Sequence, residues 1–324
     1  MKIPEDEVQA AVEAFGYSPR EARFLWLVTA FSGHLLRSQW LRFAHIPPGR
    51  GAQQLLDRLL DNGHASAYDH HGHHRYHVFG KPLYRIFGRE NSNHRRRPSA
   101  SLLSQRLGSL DFALANLDAD FLLTEAERKA FCQESLGITD PGVLPRRTYF
   151  MHGKRGPATD VSFPDRFPMA GNAQEVVFTY ADSPLDTLVS FRTHLLFYAP
   201  LFAALRTPWR FVFISGREYK IRAAERVFCD SLSRLSSLGS GTNDPDLLRY
   251  FELELRVEKK EWDTLLKAEL LERANLKARY SAPKYGRLYE EWRAGKLTPA
   301  RETASTPLSH LREFSTFLAP VLTV

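Results

Sequence analysis

The chain predicts a mixed fold, α+β to α/β, in successive parts, and three observations lead there. Over residues 18–79, apolar residues recur three times at helical spacing and then give way to two short alternating stretches. From about residue 145 the pattern becomes that of strands rich in β-branched and aromatic residues around one long apolar helix. From about residue 243 the sequence is mostly charged and helix-periodic, and a last helix is expected over 307–318.

Ser18-Pro19-Arg20-Glu21 places Ser at a helix N-cap, Pro at the first helical position and Glu at the third, so a helix begins there. Ala22, Leu25, Trp26, Thr29 and Ala30 form its inner face, and Ser32-Gly33 ends it. A second short helix from Ser38 turns Trp40, Leu41 and Ala44 inward, and His45 to Gly49 is a turn. A third helix begins near Gly51 with Ala52, Leu56, Leu59 and Leu60 as its buried stripe, and Asn62-Gly63 closes it. His64–Tyr68 and Arg75–Phe79 then read as two strands of a hairpin with a polar tip. Helix, helix, turn, helix and hairpin in this order predict a winged helix-turn-helix over residues 1–90.

Charge placement agrees with that function. Between Arg37 and Arg97 there are eleven Lys or Arg against four acids, an excess equal to the net charge of +7 of the entire chain. A cationic surplus confined to one module suits phosphate binding, because neutralised phosphates release counterions. Arg50, Gln53, Gln54 and Arg58 on the third helix are the expected base-contacting residues, since Arg can fork onto guanine and Gln onto adenine. Arg75 in the wing and Arg95, Arg96 and Arg97 after it are expected on phosphates. The expected partners are double-stranded DNA and a second copy of the chain, because one such module reads few base pairs.

Residues 91–100, within a polar stretch carrying three consecutive arginines, are expected as a basic linker. Residues 101–240 then form an α/β core and 241–324 a helical C-terminal region. In the core, Arg147–Met151, Asp160–Phe163 and Glu175–Tyr180 read as strands, Pro184–Leu205 as a helix, and Trp209–Ser215 as a buried strand. A capped helix is expected at Thr124-Glu125-Ala126-Glu127.

Acids flanking these strands raise a nuclease alternative, directed to DNA by the winged helix. Restriction-endonuclease-like sites hold Mg²⁺ with an acid and a Glu-x-Lys pair. Asp160, Asp165, Glu175 and Asp182 could supply carboxylates, but Val177 stands where the Lys should be, and no cation follows until Arg192. A degenerate, inactive restriction-endonuclease-like core is therefore expected, with no catalytic residue.

Other chemistries have little support. Cys132 and Cys229 fit no disulfide or zinc spacing, and P-loop, dinucleotide-fingerprint, HExxH and GxSxG patterns are absent from the sequence, so no cofactor is expected. Six histidines, His64, His70, His71, His73, His74 and His77, crowd the hairpin. A hairpin tip does not frame a tetrahedral site, so a solvated tip is expected and no metal. The acidic N-terminus lacks a signal-peptide layout and no stretch of about 18 apolar residues occurs, which predicts a cytoplasmic protein with no membrane partner.

Over residues 17–230 the chain resembles the replication-relaxation family of plasmid and integrative-element proteins. Gln53 to Gly63, Phe163-Pro164-Asp165, Val177 to Asp182, the helix holding Arg192 and Tyr198, and Trp209 to Ser215 carry the similarity. The resemblance implies a DNA-binding accessory of a mobile element, acting in replication, mobilisation or their control, with a nuclease-like second domain. Tyr180 and Arg192 stand where that family often keeps Glu and Lys, which implies lost catalysis.

Overall fold

The computed structural model describes residues 3–70, 73–150, 158–165, 167–172, 174–238, 245–259, 267–293 and 312–320. Among them are twelve α-helices and three small sheets, a mixed α+β chain without a barrel.

The N-terminal module begins with α1 (Glu5–Phe15), whose buried Val8 and Ala11 pack on α2 (Pro19–Phe31). The expected cap of α2 is present: Glu21 N donates to Ser18 Oγ at 3.3 Å, and Ser18 N donates to Glu21 Oε2 at 2.7 Å. Because this box satisfies two otherwise orphaned amides, Ser18→Ala is expected to cost about 1 kcal/mol, measured as a lowered urea midpoint at unchanged slope. A short strand not anticipated from the sequence, β1 (His34–Leu36), follows before α3 (Arg37–Ala44) and α4 (Arg50–Asp61). The buried stripe of α4 is Leu55, Leu56 and Leu59, and Leu60 faces outward. The hairpin is β2 (Ala65–His70) and β3 (His73–Val78), with β3 central between β1 and β2 and all pairings antiparallel. α5 (Lys81–Ile86) closes the module by burying Leu83 and Tyr84.

Residues 91–100 do not hang free as the expected linker. Asn93–Arg95 form one turn of 3₁₀-helix, His94 Nδ1 lies 3.0 Å from Thr29 O, and Arg106 donates to Asn93 O and Arg96 O. The segment passes so close to β1 that a Cβ on Gly33 would lie 2.2 Å from His94 O, and Gly33 also has φ +71°. Only glycine suits that crossing. The polar run is ordered because its backbone carbonyls are what the buried Arg106 needs as acceptors.

Next come α6 (Ala100–Ala115) and α7 (Glu125–Ala130), the latter with the expected capping box of Thr124 and Glu127. The first two expected strands, β4 (Arg146–Phe150) and β5 (Ala158–Ser162), pair with each other in a separate two-stranded antiparallel sheet. The core sheet has the order β6-β7-β8-β9, from β6 (Met169–Gly171), β7 (Val176–Ala181), β8 (Trp209–Ser215) and β9 (Arg312–Leu318). β6 is antiparallel to β7, and β7, β8 and β9 run parallel. α8 (Leu188–Ala204) connects β7 to β8, and α9 (Glu218–Leu238), α10 (Pro245–Glu258), α11 (Lys267–Arg279) and α12 (Pro283–Arg293) precede β9.

The expected last helix, over 307–318, is a strand over 312–318, and residues 307–311 lie outside the described residues. Its Phe314 ring lies 4.8 Å from Phe228 of α9, and its backbone pairs with the full length of β8. Without it, β8 would expose an unpaired apolar edge.

Both faces of the sheet are covered, which explains the nearly continuous apolar runs of β7 and β8. Phe178, Tyr180, Phe211 and Phe213 face α8 and α9, while Ala181, Val212 and Ile214 join Leu110, Phe112 and the N-terminal helices in another core. That second core crosses residues 91–100, so the N-terminal module and the sheet share one apolar interior. α10, α11 and α12 bury a smaller cluster around Phe251, Tyr280, Tyr285 and Tyr289. Among the described residues, no helix is long and apolar enough to cross a membrane.

Candidate functional site

α4 carries a separated pair of faces. Its leucines are buried, whereas Gln54 and Asp57 are exposed and Gln53 is half-buried, donating to Asp57 Oδ1 at 2.8 Å. Arg50 opens the helix, and its side chain lies outside the described set. Arg58, expected on a base edge, instead donates to Gly16 O at 2.8 Å and to Glu21 Oε2 at 2.5 Å. It braces α4 against the cap of α2, because the nearly buried Glu21 carboxylate needs a cation.

The remaining cations divide in the same way. Arg95 donates to Phe79 O and Glu90 O, and so holds the segment after the hairpin instead of facing outward. Arg42 pairs with the buried Asp111, Arg85 with Glu90, and the Arg89 guanidinium lies 4.2 Å from the Trp26 ring centre. Arg75 is half-buried on β3 near Tyr68, and burial lowers its affinity for its proton. Arg96 and Arg97 are exposed. Of the positive surplus read from the sequence, Arg42, Arg58, Arg85, Arg89 and Arg95 thus already engage acids, carbonyls or a ring of the protein itself.

The hairpin histidines are not all solvated either. His64 Nδ1 lies 2.8 Å from Tyr17 Oη, and His77 stacks on His34 at 4.3 Å with 6° between ring planes. β1 and β3 are in register at this pair, so alternation puts both rings on the sheet face that the 91–97 segment covers. Burial pushes His34 down to about 3, with repulsion from His77 adding to it, and burial also lowers His77. Neither Nε2 has a hydrogen-bond partner among the described residues. His74, near the tip, pairs with Asp69 at 2.7 Å. His71 lies outside the described residues, as do the side chains of His70 and His73.

The four nuclease-type acids stay apart. Asp160 accepts from Thr148 and pairs with Arg146 in the β4–β5 sheet, and Glu175 pairs with Arg210 at 3.1 Å. Asp165 meets His194 Nδ1 at 3.1 Å and Arg147 at 3.4 Å. Asp182, at the end of β7, is buried against Lys220, whose Nζ reaches its two oxygens at 3.0 and 2.9 Å. Lys220 also donates to Ser183 O and Asp186 O, and Ser215 at the end of β8 donates to Asp182. Burial raises the Asp182 carboxyl above its ordinary value, outweighing the hydrogen bonds and charge of Lys220. No group of three metal-ligating side chains occurs among the described residues.

Lys220 and His194 are the residues that local reading missed. Each lies 29 to 38 residues from its acid and on a different element, so no local spacing marks it. No family model, no curated protein and no solved structure matches the chain.

Proposed function

We propose that the N-terminal module is a winged helix-turn-helix that binds double-stranded DNA, with α4 entering the major groove and the β2–β3 hairpin as its wing. The observation that carries this proposal is the outer face of α4, where Gln53, Gln54 and Asp57 lie opposite three buried leucines and immediately precede an antiparallel hairpin. Gln54 reads base edges, and Arg96 and Arg97 contact phosphates beside the duplex. The sheet of β6 to β9 together with the β4–β5 pair is a degenerate nuclease-like core that positions the module, since Asp160, Asp165, Glu175 and Asp182 engage partners on four different elements, Arg146, His194, Arg210 and Lys220. In the cell this is a cytoplasmic accessory or regulator of a mobile genetic element, acting as a dimer on paired half-sites.

Gel shifts over a salt series test the proposal. Binding is expected at low salt, with log K falling against log salt at a slope of roughly −2 to −4, as two to four phosphate contacts require. Gln54→Ala should relax discrimination at one base pair by about 1–3 kcal/mol while leaving the salt slope unchanged. Absence of a shift at low salt, or an unaltered base preference in Gln54→Ala, would remove α4 from the interface.

A further inference from the structure

The stacked rings of His34 and His77 lie beneath residues 91–97. His34 is fully buried and His77 is 3% exposed. The backbone of His94 and Arg95 lies against the His77 ring, and His94 O crosses over Gly33, the residue before His34, where a Cβ would collide with it. The segment 91–97 is thus a strap laid over the pair.

What the strap covers is costly to cover. His34 Nδ1 lies 3.4 Å from Ser32 O, but the Nε2 atoms of both rings are withheld from water without a partner among the described residues. The charged groups that act on the pair carry no negative charge: Arg106 of α6 acts on both rings, His94 of the strap on His34, and Arg97 of the strap on His77. Tyr68 of β2, with its ring 6.4 Å from His34, is kept neutral by burial, and Arg75 of β3 acts on Tyr68. A proton on either ring would therefore be a buried charge among cations.

The strap itself is held by polar contacts. Its 3₁₀ turn contains no buried residue. Hydrogen bonds join it to its surroundings, from His94 Nδ1 to Thr29 O, from Arg95 to Phe79 O, and from Arg106 to Asn93 O and Arg96 O. Clefts of about 330 and 410 Å³ border it, and Phe31 and His94 line both. Lifting the strap exposes little apolar surface, which is the mark of a local opening as opposed to unfolding.

We propose that residues 91–97 are a proton-operated latch: protonation of His34 and His77 lifts the segment off the sheet and frees Arg95, Arg96 and Arg97 as a basic arm. The direction follows from burial and repulsion, which push His34 down to about 3 and also lower His77, whereas in the lifted form both rings meet water and take a proton near 6.5. As pH falls below 6.5, the lifted form binds protons that the closed form refuses. Its population therefore rises about tenfold per pH unit for each ring exposed. The latch operates whether or not α4 binds DNA.

Native-state hydrogen exchange of the full-length protein, from pH 7.5 to 5 at constant ionic strength, tests the latch. The probes are the Arg95 and Arg96 amides, which donate to Ser92 O and Asn93 O, and for comparison the Phe211 and Phe213 amides of β8. After correction for intrinsic exchange, the strap amides are expected to be less protected than those of β8. Low urea should erode the protection of β8 and leave that of the strap unchanged, because the two openings expose different amounts of surface. Between pH 6.5 and 5.5 the strap should lose about tenfold to a hundredfold of its protection, and His34→Phe should reduce that loss by about tenfold. Gly33→Ala sets a Cβ against His94 O, so it should hold the latch open at pH 7.5, with little further loss at pH 5 and with β8 still protected. The proposal is overturned if the Arg95 and Arg96 amides exchange no faster than those of Phe211 and Phe213, if their protection is independent of pH, or if His34→Phe and Gly33→Ala behave as the parent does.

Discussion

Replacing the buried Lys220 with Met is expected to destabilise the protein by about 3–5 kcal/mol. The Lys220 ammonium contacts both Asp182 oxygens and two backbone carbonyls in a place where neither side chain is more than 8% exposed. Removing it leaves the Asp182 carboxylate buried with Ser215 as its remaining donor. Burial already lifts this carboxyl above its ordinary value with the lysine present, so the pair gains little over a neutral pair of the same size. The double variant Asp182→Asn, Lys220→Met is therefore expected to recover most of the loss, because the unpaired charge is gone. Urea unfolding of the parent, the single and the double variant checks this, and a double variant no better than the single would show that the loss came from packing.

Acidification is expected to weaken the fold through His34, by about 2 kcal/mol between pH 7.5 and 5. The ring accepts a proton near 6.5 in the unfolded chain and near 3 in the folded one. As pH falls below 6.5 the unfolded chain binds a proton that the folded chain refuses, so stability declines by about 1.4 kcal/mol per pH unit until the folded value is reached. His64, His77 and His194 are lowered by burial in the same direction and add to the decline. Carboxylates contribute to any acid unfolding, so the diagnostic measurement is a difference. His34→Phe keeps a ring against His77, and its plot of stability against pH should be shallower than the parent's by about 1.4 kcal/mol per unit between pH 6 and 4. Parallel plots would mean that the His34 ring is hydrated.

Much of the architecture was legible along the chain where the cause is local. The α2 cap was readable because Ser18 and Glu21 are three residues apart, and β7 and β8 because strands buried on both faces are continuously apolar. β9 was not, since Arg312 to Leu318 becomes a strand by completing the edge of β8, a partner a hundred residues earlier. Nor was the ordering of 91–100, which depends on Arg106 and on the missing side chain of Gly33.

The candidate sites divide along the same line. The exposed glutamines of α4 follow from helical period, but the engagement of Arg58 by Glu21 and of Arg95 by Phe79 O does not. A count of charges measures the potential for binding, whereas tertiary packing determines which charges are turned inward to neutralise buried acids and carbonyls.

By itself the sequence determined the helix starts, the two-sided burial of the central strands and the amphipathic face of α4, because each is fixed by residues within a few positions of one another. Only the tertiary structure decided that Lys220 meets Asp182, that His194 meets Asp165, and that the basic run lies packed across a sheet. Those contacts join residues far apart in the chain, and they are selected by the cost of leaving a charge or polar group unpaired in a dry interior.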